Sequence, residues 1–264
     1  MSDRHICAAR SPGVPRGTLH PHPVIISHRH RYLFVELPRT GSTAIRDELC
    51  GFYDGEPILS KHATYQEFLG AASVDEKRYF VFSAIRNPLD DAVSRYFKLR
   101  TDHKGRFSHA RPGGHRRLVN RLLDNAMFGF LRRTDADFPT FFLRYYVLPY
   151  DTWASLSHRR FDFVMRFENL SADFEKALRQ IGIEPVRPLA LVNPTGARQR
   201  DFAYYYPPET WGRARRVFGP YMEKWGYGFP AEWGIQGPST LHRAQYLLCG
   251  LVARFYWRVV RPLT

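Results

Sequence analysis

Cysteine is scarce in this chain. Three residues in 264 (Cys7, Cys50 and Cys249) are odd in number and far apart, so a disulfide-built scaffold is not expected and no zinc-ligand spacing occurs. No apolar run approaches the roughly 20 residues that a membrane-spanning helix requires. The early residues predict neither a signal peptide nor an N-terminal anchor, so the cytoplasm is the expected compartment. Acidic residues are also under-represented: Asp+Glu 25 against Lys+Arg 39 leaves a formal net charge of +14. The excess points to an anionic partner: a nucleotide, acidic glycan, anionic lipid or nucleic acid. Most of the basic residues are arginine, a bias that genomic base composition also produces, so the charge carries only part of its face value. The Walker A spacing is absent, which removes a conventional P-loop ATPase. No helix-turn-helix, zinc-finger or RNP pattern is present, and nucleic acid is not an expected partner.

What is present suits a globular protein, with 44% hydrophobic and 15% aromatic residues. Residues 1–30 hold Pro12, Pro15, Pro21 and Pro23 among Arg and His and predict an irregular leader. Its histidines (His20, His22, His28, His30) lack acidic or cysteine co-ligands, and no metal is assigned to them. A main domain over 31–230 and an amphipathic C-terminal extension over 231–264 complete the expected organisation. Strands are expected over 32–37, 58–62, 79–85 and 161–167. Helices are expected from Ala44 and over 64–71, and again after Asn87, where Asn87 is a good N-cap, Pro88 suits the first position and Asp90 and Asp91 complement the dipole. Residues 100–121 read as a mobile loop and 138–150 as helical or irregular. Ser171 is the expected cap of a helix carrying Phe174, Ala177, Leu178 and Ile181 on one face. Strands alternating with helices predict an α/β fold with a mainly parallel central sheet flanked by helices.

The densest signal is Phe34-Val35-Glu36-Leu37-Pro38-Arg39-Thr40-Gly41-Ser42-Thr43-Ala44-Ile45. An apolar run ends in proline, then come a cation, a glycine and two hydroxyls, and then a helical pattern. That order builds a strand, an anion-binding turn and a helix. Gly41 lets the backbone approach an anion, Ser42 and Thr43 can cap the helix, and Arg39 adds forked donors. A second strand-to-helix turn supplies Arg86 and, eight residues on, Ser94. In an open parallel sheet ligands bind outside the carboxyl ends of the strands. Two anion sites at neighbouring strand ends suggest a nucleotide with phosphates on both its 5′ and 3′ sides.

The pair P-R-T-G-S-T and R-N-P-x-x-x-x-x-S-x-Y resembles the signature of sulfotransferases that use 3′-phosphoadenosine 5′-phosphosulfate (PAPS). The segment from Phe163 to Leu170, F-V-M-R-F-E-N-L, is similar to that family's strand ending in Y-E-D-L. Asn193-Pro194-Thr195, Tyr204-Tyr205, Glu209 and Trp225-Gly226-Tyr227 resemble its carbohydrate branch, so the resemblance spans residues 32–228. It implies a P-loop-like three-layer fold. It implies that Arg39, Thr40, Gly41, Ser42, Thr43 and Ala44 hold the 5′-phosphosulfate, and that Arg86 and Ser94 hold the 3′-phosphate. Many members carry lysine where this chain has Arg39, which keeps the charge but changes the geometry. Arg198 and Arg200 lie where the family brings a loop over the 3′-phosphate; a solvated basic loop reads equally well.

Sulfuryl transfer needs an attacking hydroxyl, a base for its proton and cations on the leaving phosphate. No metal is required in principle, since Arg39 and the helix start can neutralise the leaving group. His62 is the expected general base, because Lys61-His62-Ala63-Thr64 lies between the two loops and resembles the histidine-using branch. Glu168 reads either as a second acid/base or as a partner of Arg166. The expected acceptor is a hydroxyl of a carbohydrate or glycolipid. Two other readings stay open: a nucleotide-dependent kinase, and a non-catalytic protein binding acidic glycan or membrane. The arginine-rich stretch from Arg95 to Arg121 reads as an acceptor groove or as a solvated loop. The tail over 246–261 sets Arg254, Arg258 and Arg261 against Leu247, Leu248, Leu251, Val252 and Phe255. Peripheral contact with the inner face of an anionic membrane and packing on protein both fit that pattern.

Overall fold

The computed structural model describes residues 24–59, 65–105, 107–108, 118–151, 161–190 and 200–255. These fall into two compact units, one built from 24–86 with 161–190 and the other from 87–151 with 200–255. The protein is α/β, with a five-stranded mixed sheet flanked by helices in the first unit. Among the described residues no helix is long and apolar enough to cross a membrane.

In the first unit the strands are β1 (Val24–Ser27), β2 (Tyr32–Val35), β3 (Glu56–Ile58), β4 (Phe80–Ile85) and β5 (Phe163–Arg166), in the order β3-β1-β2-β4-β5. Only the β2/β4 and β4/β5 pairings are parallel; β1 runs against both β2 and β3. The sheet is therefore mixed, where the sequence predicts a mainly parallel one. The cause lies in residues 24–30, read as part of an irregular leader. They form a strand and a tight turn into β2, with Arg31 in left-handed backbone (φ 54). So short a connection can join only antiparallel strands, because a parallel pair needs a crossover of about a dozen residues. The turn is pinned by its basic side chains. Arg31 makes two bonds to Asp75 (2.9 and 2.7 Å), and His30 and Arg29 both reach Asp54 (3.1 and 3.2 Å).

Strand side chains alternate in direction, so one sequence builds two cores. Ile25, Tyr32, Phe34, Phe82, Ala84 and Met165 face α1 (Ser42–Phe52) and α6 (Leu170–Gln180). Val24, Ile26, Leu33, Val35 and Val81 face the other way and pack on α2 (Tyr65–Ala71) through Tyr65 and Phe68. Ser171 does not cap α6. Asn169 holds the cap position with no side-chain bond to a helix amide, and Asp173 instead accepts from Arg166 N (2.7 Å) and from Asn169 Nδ2 (3.2 Å). Asp173 ties strand end to helix start, a contact between residues seven apart that a local capping rule does not see.

The second unit is helical: α3 (Pro88–Arg100), α4 (Leu118–Thr134), α5 (Phe138–Tyr145), α7 (Pro208–Trp225) and α8 (Thr240–Phe255). Its core is largely aromatic. Phe138 meets Tyr206 edge-on at 4.8 Å and stacks on Phe142 at 5.8 Å, and Trp211 stacks on Trp233 at 5.4 Å. Such ring pairs add about 0.5–1.5 kcal/mol each beyond the area they bury. The stretch 100–121, read as a loop, carries a short 3₁₀ turn at His103–Gly105 and becomes helical from Leu118.

Candidate functional site

Sequence and geometry converge at the carboxyl ends of β2 and β4. These are adjacent parallel strands paired Val35 to Ser83, and Ser83 Oγ donates to Val35 O at 2.7 Å. The chain leaves β2 through α1 towards β3 on one side, and returns after β4 as β5 on the other. The connections part between these two strand ends, which is where open α/β sheets leave a crevice.

The loop from Glu36 to Gly41 fills that position after β2. Arg39 (φ 67) and Gly41 (φ 77) both adopt left-handed backbone, on either side of Thr40. Glycine takes this conformation readily; an arginine held there costs about 1–2 kcal/mol and persists only where its surroundings impose it. The constraints are visible. Thr40 is buried and its Oγ1 donates to Leu37 O at 2.9 Å. Arg86 donates from Nη1 to Arg39 O at 3.3 Å. A Cβ on Gly41 would lie 2.5 Å from Leu170 Cδ2, so the turn rests directly on the start of α6.

Ser42 and Thr43 do not cap α1. Gly41 occupies the cap position with no side-chain bond, and the two residues form the first turn, Ser42 half-buried and Thr43 exposed. Ala44 N and Ile45 N are both bonded to Gly41 O (2.9 and 3.4 Å). A left-handed glycine at the junction already turns the chain, so no side-chain hydroxyl occupies the first-turn amides. Those amides and the helix dipole favour an oxyanion.

Arg86 sits at the end of β4, 9% exposed, with its guanidinium carbon 4.1 Å from the centre of the Phe167 ring. Stacking on an aromatic face restrains the guanidinium at the strand end. Two guanidiniums are thereby tied to one short turn, Arg39 within it and Arg86 bonded to its backbone. Beneath the turn Glu36 is buried, and Arg46 of α1 balances it at 3.5 Å.

The β4–α3 junction is closed differently. Asn87 Oδ1 accepts from Leu89 N (3.0 Å), Pro88 stands at the first helical position, and Asp91 N bonds Asn87 O (2.9 Å), as the sequence predicts. Asp90 and Asp91 are in the first turn but are buried, and Tyr150 OH donates to Asp91 Oδ2 at 3.3 Å. Ser94 is fully buried in α3, so its hydroxyl is not on open surface. Arg200 lies 4.5 Å over the Tyr204 ring. Glu168 is exposed in the 3₁₀ turn Phe167–Asn169. His62 and Arg198 lie outside the described residues, as do residues 109–117 of the arginine-rich stretch. Among the described residues no group of three His, Cys, Asp or Glu side chains is placed to hold a metal ion.

Sequence reasoning missed three contacts of this site: Phe167 under Arg86, Leu170 under Gly41, and the Glu36–Arg46 pair. The signal for the first two was present in the F-V-M-R-F-E-N-L run, whose apolar positions after the strand have no place in the β-alternation. The Glu36–Arg46 pair joins residues ten apart across the loop and has no sequence signature.

No family model, curated protein or solved structure matches the chain.

Proposed function

We propose that the protein is a PAPS-dependent sulfotransferase of P-loop-like fold, with a hydroxyl of a carbohydrate or glycolipid as acceptor. The observation that carries the reading is the tie between the two motif arginines: Arg86 donates to the carbonyl of Arg39 at the start of the uncapped helix α1. A bisphosphorylated nucleotide needs such a place, with amides and guanidiniums convergent at one strand-end crevice.

In this reading the backbone of Thr40 to Ala44 and the Arg39 guanidinium hold the 5′-phosphosulfate, and Arg86 with Ser94, Arg198 and Arg200 serves the 3′-phosphate. The acceptor oxygen bonds to sulfur as the bond from sulfur to the bridging phosphate oxygen breaks. The acceptor proton passes to His62, and adenosine 3′,5′-bisphosphate departs with its new charge stabilised by Arg39 and the α1 amides. Stabilisation by positioned charge is the main catalytic term for loose in-line transfers of this kind. The buried Ser94 makes Arg86 the stronger of the two proposed 3′-phosphate residues.

The test is calorimetry with adenosine 3′,5′-bisphosphate. Binding is expected, together with a raised melting temperature; no heat and no stabilisation at millimolar ligand removes the cofactor assignment. His62→Ala should abolish turnover while leaving nucleotide affinity nearly intact. Turnover of ATP with magnesium in place of PAPS would make the protein a kinase.

A further inference from the structure

The C-terminal helix α8 is turned inside out. Its half-buried residues, His242, Tyr246, Cys249, Gly250, Ala253 and Arg254, follow helical spacing along one face, and that face is polar or small. It is fastened by polar bonds within the second unit. Tyr246 OH donates to Asp151 Oδ2 (2.6 Å), Arg243 makes two bonds to Glu223 (2.9 and 2.7 Å), and Lys224 Nζ lies 3.4 Å from Tyr246 OH. The opposite face carries Leu241, Leu247, Leu248, Leu251, Val252 and Phe255, each between 57% and 65% exposed.

A globular protein's surface helix normally buries its apolar stripe and wets its polar one. Here the polar bonds lock the reverse orientation, so the stripe cannot turn inward without breaking them. A contiguous apolar surface of this length, about 20 Å along a helix of this size, marks an interaction site.

Charge selects the occupant. From Gly234 to Thr264 the chain has no Asp or Glu, but has Arg254, Arg258 and Arg261 besides Arg243, whose partner is Glu223. A second copy would bring the same cations against themselves, and a neutral apolar partner would leave them unused. An anionic bilayer suits both the stripe and the charge of this segment, since acyl chains take the leucines and lipid phosphates attract Arg254, Arg258 and Arg261. Tyr256 and Trp257 follow the stripe in sequence, residue types that favour the level of the lipid headgroups. We infer that α8 is an interfacial helix that docks the protein on the surface of an anionic membrane. The inference stands independently of the nucleotide site.

Flotation of the full chain with vesicles tests it. Phosphatidylcholine vesicles containing one-third phosphatidylglycerol should bind the protein roughly tenfold or more tightly than pure phosphatidylcholine, and high salt should weaken that binding. Leu248→Gln/Leu251→Gln should lower binding more than tenfold with an unchanged melting temperature, because both side chains already face solvent. Leu241→Gln/Val252→Gln is the second variant should the first fail to fold. Equal binding to the two vesicles overturns the inference, as does anionic binding that neither variant weakens. Sedimentation velocity supplies the remaining arm: a dimer that these variants disperse, without vesicle binding, would make the stripe a self-interface instead.

Discussion

Two strand-to-helix turns leave neighbouring parallel strands of the same sheet, and they end in opposite ways. After β2 the chain turns on a left-handed glycine and starts α1 with no side-chain cap. After β4 it turns on Asn87 and Pro88, which satisfy the first turn of α3 from within. Proline removes one first-turn donor and asparagine occupies another, so the second turn offers an anion a guanidinium rather than amides. The first turn has no side-chain cap on its leading amides, those of Ser42 and Thr43. The difference separates what a helix start can do for its own stability from what it can do for a ligand.

The helix start of α8 is a third case. Ser239 Oγ accepts from His242 N (3.3 Å) and His242 Nδ1 accepts from Ser239 N (3.4 Å). This is a reciprocal capping box with histidine in the place usually held by glutamate or glutamine, and it ties the cap to protonation.

The contrast can be broken at each turn. The largest effect is expected from Arg86→Ala, which removes the charged donor and its stack on Phe167. Calorimetry with adenosine 3′,5′-bisphosphate should show a loss of about 1.5–3 kcal/mol, roughly a 10- to 150-fold rise in Kd. An unchanged Kd would detach the second turn from the nucleotide. Next comes Gly41→Ala, which forces an L side chain into the left-handed region and towards Leu170. Urea denaturation should show a loss of about 1–2 kcal/mol, and nucleotide affinity should fall with it. Asn87→Ala is the complementary experiment, expected to cost about 1 kcal/mol of stability while leaving nucleotide affinity intact. A loss of affinity there equal to that of Gly41→Ala would erase the distinction between the turns.

The smallest effect concerns α8. Burial lowers the His242 imidazole pKa, with nearby Arg215 and Arg216 acting in the same direction. The folded state therefore binds the proton less readily than the unfolded chain. The resulting stability is complete above the unfolded value of about 6.5 and is lost as pH falls from there through the folded value. Melting temperatures taken from pH 8 downward should decline more steeply for the native chain than for His242→Gln. Glutamine retains an acceptor and does not titrate. Parallel profiles would show that the box does not govern this helix.

The β4–α3 turn was legible because its grammar is local: asparagine, proline and two aspartates act within one turn of helix. The β2–α1 motif was legible as a strand, turn and helix, but its hydroxyls were assigned a capping role that Gly41 makes unnecessary. Strand β1 was lost among prolines and histidines, although Val24-Ile25-Ile26 is a short apolar run. Losing it changed the expected sheet from mixed to mainly parallel. Arg86 was visible as a cation at a strand end; the ring that orients it was not, since Phe167 follows it by 81 residues.

By itself the sequence determined the alternation of strands and helices, the two strand-to-helix turns and the amphipathic pattern of the tail, because each depends on neighbours within one or two turns of chain. The tertiary structure decided the rest. It set the direction of β1, the floor of Phe167 and Leu170 beneath the loop, and the face of α8 that meets solvent. Each is a contact between distant residues, made when burial or a polar bond outweighs local preference. In α8 the bonds to Asp151 and Glu223 hold the polar face inward, so the same residues that could have formed a core stripe became a surface.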